Sequence, residues 1–133
     1  MKTLIVEDDF TGRLLLQELL KHYGPTHIAV NGQEAVEAVR LALEADEPYN
    51  LICLDIMMPE LDGHAALKQI RALEEEAGTF VTYRTKIVMT TTLLSDTQNA
   101  AAAYRSLCDA YLAKPIDKPK LLETLRRLQL IST

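Results

Sequence analysis

Five short apolar runs, each followed by a longer stretch of helical periodicity, constrain this chain more than any other feature. The runs are Leu4–Val6, Ile28–Val30, Leu51–Leu54, Ile87–Met89 and Ala110–Ala113. Several are continuously apolar rather than alternating, the pattern of strands covered on both faces. Between them apolar residues recur one helical turn apart: Leu15, Leu16, Leu19 and Leu20 within 11–22, Ala35, Val36, Val39 and Leu43 within 32–45, and Ala66, Leu67, Ile70 and Leu73 within 63–77. The capping-box pattern Ser95-Asp96-Thr97-Gln98 predicts another helix, running to about Leu107. Asp117 is predicted to cap the last, with Pro119 in its first turn and Leu121, Leu122, Leu125 and Leu128 on one face. A β-α alternation repeated five times implies right-handed crossovers. It predicts an α/β fold, a doubly wound five-stranded parallel sheet with five helices on two faces.

A chain of 133 residues suits one domain. At this size folding buries roughly two-thirds of the unfolded surface, so no disulfide or metal staple is needed. The net charge of −5 argues against nucleic-acid or anionic-membrane binding through bulk charge. Cys53 and Cys108 form no CxxC or metal-like spacing and read as buried free thiols in a reducing compartment. Only three apolar residues stand between Thr3 and Glu7, too few for a signal peptide, and no apolar run approaches a membrane span. A cytoplasmic location is the resulting expectation. The stretch Glu74–Phe80, EEEAGTF, reads as a solvated helix end and loop. His22, His27 and His64 share no ligand spacing and read as surface or loop residues, and no Gly-rich nucleotide motif is present. Lys118, Lys120, Arg126 and Arg127 make the last helix basic, a solvated face.

In an open α/β sheet, ligands bind beyond the carboxyl ends of the strands, near the point where strand order reverses. The first run ends in Glu7, Asp8 and Asp9, the third in Asp55, the fourth in Thr90, Thr91 and Thr92, and the fifth in Lys114-Pro115. If strands one and three are neighbours, their acids meet. Carboxylates packed together resist ionising unless they share a proton or hold a hard divalent cation; Mg²⁺ suits the latter, since it takes one or two carboxylates and keeps waters and phosphate oxygens. Lys114 brings an ammonium that can pair with Asp55 or with anionic groups added to it, and a threonine hydroxyl can donate to a phosphoryl oxygen. Together these groups form the kit for phosphoryl transfer to a carboxylate. Each alone is ordinary: Asp55 a turn residue, Lys-Pro a loop, the threonines β formers. The joint pattern carries the reading. Asp9, the third acid, is expected to face solvent or cap a helix.

The motifs LIVEDD, LDIMMPELDG, IVMTT and YLAKP, in this order, resemble a response regulator receiver domain of two-component signalling, of the single-domain, chemotaxis-regulator-like kind. The resemblance spans essentially the whole chain. It implies a flavodoxin-like sheet of order 2-1-3-4-5 and a single receiver over 1–133, with no effector domain in this chain. Asp55 would be the phosphoacceptor, taking a phosphoryl group from a sensor histidine kinase or a histidine phosphotransfer protein. Mg²⁺, or Mn²⁺, would be held by Asp8 directly, by Glu7 largely through water, by Asp55 and by the backbone carbonyl of Met57. Lys114 would contact the phosphoryl group, and its bond to Pro115 would be cis. Thr91 would be the mobile hydroxyl; counting back from Lys114 favours Thr92 instead. Tyr111 would be the aromatic switch. The change would emerge on the face of the helix before strand five, strand five and the last helix, toward an unidentified protein partner, with no direct nucleic-acid or membrane binding. Such a protein catalyses only its own phosphorylation and dephosphorylation. The apolar Met57 and Leu93, flanking the site, offer no hydrogen bond to an attacking water, so a long-lived phosphoaspartate is expected.

Two other readings compete. A haloacid-dehalogenase-type phosphohydrolase also uses an aspartate nucleophile and Mg²⁺, but needs a second aspartate two residues on, where this chain has Met57. A receiver-like interaction module that is not phosphorylated would be marked by loss of the acid pair, the aspartate or the lysine, and all are present.

Overall fold

The parallel pairing of β1 (Thr3–Val6) with β3 (Leu51–Asp55) decides where the acids go: Thr3 faces Leu51 and Val6 faces Leu54. In the computed structural model, which describes residues 1–56, 58, 61–78, 84–92 and 107–132, three more strands complete one sheet. They are β2 (Thr26–Ala29), β4 (Lys86–Thr91) and β5 (Ala110–Ala113), and the order is β2-β1-β3-β4-β5, parallel throughout. The helices are α1 (Phe10–Leu20), followed by a 3-10 turn at Lys21–Tyr23, then α2 (Gly32–Glu44), α3 (Gly63–Glu76) and a C-terminal helix (Lys118–Arg127). The helix predicted from Ser95 lies outside the described residues.

Side chains alternate across each strand, so each run feeds two cores. Leu4, Val6, Ile52, Leu54, Ile87 and Met89 pack with Ala35 and Val39 of α2 and Leu67 and Ile70 of α3. Ile5, Leu51, Cys53 and Val88 pack on the other face with Leu16 and Leu20 of α1 and Leu121 and Leu125 of the C-terminal helix. Coverage on both faces explains the unbroken apolar runs. Each fully buried Leu or Ile contributes about 1.5–3 kcal/mol relative to exposure.

The structure departs from the sequence reading in four places. β2 begins two residues earlier than its apolar run and leaves His27 and Ile28 exposed, because an edge strand is paired along one side only. Leu15 was expected on the buried stripe of α1 but is 38% exposed: consecutive helical residues lie about 100° apart, and the seam that meets the sheet is Leu16–Leu20. Asp117 sits at the N-cap but its side chain makes no capping bond. Asp9, Asn31 and Asp62 do cap their helices, accepting from the N–H of Gly12 (2.8 Å), Glu34 (2.8 Å) and Ala65 (2.9 Å). In the C-terminal helix Pro119 removes one of the two N–H groups a cap can use.

The fourth departure is at Glu74, expected at a solvated helix end and found 1% exposed. Its carboxylate pairs with Arg71 Nη1 at 2.6 Å and accepts the Thr85 N–H at 2.9 Å. Arg71, also buried, donates to the carbonyls of Leu107 (2.7 Å) and Thr85 (2.8 Å) and to Asp109 (3.1 Å). Asp109 in turn accepts the Ile87 N–H at 2.8 Å. This network ties the end of α3 to the starts of β4 and β5, and each buried charge finds partners.

Candidate functional site

Parallel strands present their carboxyl ends along one edge, and the register brings the chemistry together there. Val6 pairs with Leu54, so Glu7 and Asp8 emerge beside Asp55; Thr90 pairs with Asp55, and Thr91 with Ala113, one residue before Lys114. Hydrogen bonds beyond the strand ends hold these exits in place: Glu7 N–H to the Ala29 carbonyl (3.1 Å), Ile56 N–H to Thr90 (3.1 Å) and Lys114 N–H to Thr91 (2.8 Å). Arg13 donates to the carbonyls of Glu7 (3.2 Å) and Asp8 (3.0 Å), pinning the turn that carries both acids. Gly63 closes the opposite side. A side chain there would place its Cβ 2.4 Å from the Asp55 carbonyl oxygen, so only glycine lets α3 start against the strand end.

Lys114 bridges the two buried acids. Its Nζ lies 2.5 Å from Glu7 Oε1 and 3.1 Å from Asp55 Oδ2. Glu7 is 1% and Asp55 3% exposed, whereas Asp8 is exposed to solvent. Burial holds the Glu7 carboxyl above its ordinary range, and a hydrogen bond with Asp55 adds to this, against the opposing pull of Lys114. Burial pushes the Lys114 ammonium down, but the hydrogen bond to Glu7 and the charges of Asp55 and Glu7 outweigh it, so its pKa stands above the usual lysine value. The ammonium therefore remains charged at neutral pH.

One oxygen from each of Glu7, Asp8 and Asp55 falls within 4.8 Å of the others. Three carboxylates against one ammonium leave net negative charge. An all-oxygen donor set with one solvent-facing carboxylate suits a hard, partly hydrated divalent cation such as Mg²⁺ or Mn²⁺. Met57, whose carbonyl was expected to join the set, and Leu93 lie outside the described residues.

Thr91, Thr92 and Tyr111, the residues expected to form a switch, all lie among the described residues. Thr91 ends β4 and is 1% exposed, while Thr92 is exposed in the following bend. Tyr111 is half-buried in β5, opposite Met89, and packs on the core shared with α2 and α3. Lys114–Pro115 is cis. Asp9 caps α1. His22 and His27 are exposed, and the His27 ring bonds the Tyr49 hydroxyl at 2.8 Å. Cys53 and Cys108 are free and buried, and burial pushes the Cys53 thiol up to about 12. The four basic residues of the C-terminal helix are exposed. Sequence reasoning missed the Glu7–Lys114 pair, having joined Lys114 to Asp55 alone, and missed Arg13, whose signal is its position one turn into α1. No helix among the described residues is long and apolar enough to cross a membrane.

The chain matches the response regulator receiver domain family over residues 3–126. It is 32% identical over 123 residues to the osmosensing histidine protein kinase SLN1 of Saccharomyces cerevisiae, a match covering 91% of this chain and 9% of the kinase. It therefore spans a small part of that relative's length. Among solved structures it is similar to the receiver domain of the histidine kinase CKI1 from Arabidopsis thaliana complexed with Mg²⁺, with 27% identity and a TM-score of 0.81 over 96% of this chain and 90% of that one. It is also similar to the receiver domain of the sensor histidine kinase PA1611 from Pseudomonas aeruginosa, which has a magnesium ion coordinated in its active-site cleft; identity is 27% and the TM-score 0.69, over 95% of this chain and 94% of that one. Fold order, strand-end chemistry and these likenesses agree, and the chain belongs to the response regulator receiver domain family of two-component signalling.

Proposed function

We propose that the chain is a phosphoacceptor: Asp55 takes a phosphoryl group from a phosphohistidine of a sensor histidine kinase or a histidine phosphotransfer protein. The observation that carries this reading is Lys114 Nζ bridging two buried carboxylates, 2.5 Å from Glu7 and 3.1 Å from Asp55, beside the exposed Asp8. An Asp55 carboxylate oxygen attacks phosphorus; the new O–P bond forms as the donor's N–P bond breaks. The electron pair of that bond stays on the imidazole nitrogen, which takes a proton from solvent. Mg²⁺ or Mn²⁺ would be held by Asp8 directly, by Glu7 largely through water and by Asp55, and when bound would supply charge neutralisation to the phosphoryl oxygens. Lys114 keeps its proton throughout and pairs with the added phosphoryl charge.

Thr91 is the hydroxyl that bonds a phosphoryl oxygen; its position as the last residue of β4, buried where Thr92 is exposed, supports it over Thr92. Tyr111 then moves inward, and the face of β5 and the C-terminal helix changes for a downstream protein. Phosphorylation shifts weight between two existing conformations. The only chemistry catalysed is the chain's own phosphorylation and dephosphorylation, in the cytoplasm, where the free thiols remain reduced.

The test is intact mass after incubation with phosphoramidate, a small N–P donor, with Mg²⁺ or with EDTA. One phosphoryl adduct is expected, requiring Mg²⁺ and absent from Asp55→Asn, whose amide is nearly isosteric and keeps the fold. An adduct that survives Asp55→Asn, or none from phosphoramidate, acetyl phosphate and a phosphohistidine protein alike, overturns the reading.

A further inference from the structure

We propose that Gly12 sets the metal affinity of the acidic pocket, by giving the Glu7 carboxylate a resting place beneath the first turn of α1, against Lys114. The inference rests on the metal-dependent reading of the Asp55 site and adds a positioning residue to it. Gly12 is fixed at the third position of α1 by its N–H, which donates to the capping Asp9 at 2.8 Å. A Cβ on Gly12 would lie 2.9 Å from Glu7 Oε1 and 3.2 Å from Glu7 Cδ and Cγ. The same Oε1 accepts from Lys114 at 2.5 Å. So the space left by the missing side chain and the bond to Lys114 are two sides of one seat.

Neither backbone strain nor helix propensity accounts for a glycine here. Its backbone is helical rather than left-handed, and glycine within a helix is less favourable than alanine. An oxygen lying on Lys114 is withheld from a cation. A cation drawn to Glu7, Asp8 and Asp55 competes with the lysine for the Glu7 carboxylate, and every contact that favours the seat weakens metal binding by mass action. The crowded atoms are the end of a flexible side chain, so a methyl at position 12 displaces Glu7 rather than the helix.

The experiment is calorimetric titration of the whole chain with Mg²⁺, and with Mn²⁺, on wild type, Gly12→Ala and Gly12→Ser, each in the native and the Glu7→Ala background. Both substitutions are expected to tighten binding by about threefold to tenfold, part of one charge-assisted hydrogen bond, with melting temperature unchanged or raised. In the Glu7→Ala background the gain disappears, which a purely helical effect would not do. Equal or weaker affinity in folded Gly12 variants, or the same gain without Glu7, overturns the role of Gly12. Wild type that binds neither ion overturns the metal-dependent reading of the site, and this inference with it.

Discussion

Arg71→Ala is the substitution whose cost the structure sets most clearly. The side chains of Arg71 and Glu74 are 4% and 2% exposed, and that of Asp109 is 14% exposed. Removing the guanidinium takes the 2.6 Å ion pair from Glu74, strips Asp109 of its bond to Arg71 and takes a donor from the carbonyls of Leu107 and Thr85. Breaking a buried pair from one side costs about 3–5 kcal/mol, against a total stability of about 5–15 kcal/mol for a domain. At this chain length each kcal/mol lowers the melting temperature by roughly 3–5 °C, so a fall of roughly 10–20 °C is expected. Urea unfolding followed by circular dichroism supplies the free energy, and a thermal scan supplies the shift. The pair Arg71→Met with Glu74→Leu should cost less than the sum of the single changes, by about 1–3 kcal/mol, because the more deeply buried carboxylate is removed together with its partner. A loss below about 1 kcal/mol for Arg71→Ala, the scale of a surface ion pair, would refute the assignment of the network as a buried clamp.

Lys114→Ala should retain part of the phosphoryl uptake seen by mass but lose the phosphorylation-dependent change in amide exchange over β5 and the C-terminal helix; an unchanged response would contradict its coupling role. Cys53, buried with its thiol at about 12, should resist iodoacetamide at pH 8 in the native state and react once unfolded in urea. Rapid native labelling would show that the β3 core opens. For Glu7, whose folded pKa is raised above the ordinary 4.5, the folded metal-free state binds the proton more tightly than the unfolded one. Its contribution is present at acidic pH and lost as pH rises through the raised value. Urea melts in EDTA should therefore show Glu7→Gln gaining on wild type from pH 4.5 upward, and a constant difference would contradict the shift.

The fold was legible because the runs of β1, β3 and β4 are buried on both faces, and the two-residue period then hands alternate side chains to two separate cores. The β2 boundary was less so, since an edge strand shows only half that signal. Glu74 was misread, and its partner Arg71 passed over, for a clear reason. Arg40 and Glu37 have the same three-residue spacing with the order of charges reversed and are exposed, at 42% and 54%, so spacing alone cannot separate the two cases. The signal that does separate them is that Leu67, Ile70, Arg71 and Glu74 fall at i, i+3, i+4 and i+7, one stripe of α3. The partners that make burial tolerable, Thr85 and Asp109, are distant in sequence. In the site, strand-end positions exposed the acids, the lysine and the threonine. The grip of Lys114 on Glu7 was not visible, because it depends on the space that Gly12 leaves beneath α1.

The most direct measurement is borohydride trapping of the phosphorylated protein. An acyl phosphate on an aspartate is reduced to homoserine, which peptide mass spectrometry places at a single position. After phosphorylation in Mg²⁺, homoserine is expected at position 55 and nowhere else, and not in protein treated with EDTA. Homoserine at another aspartate, or a stable phosphoryl adduct that yields no homoserine, would contradict Asp55 as the acceptor.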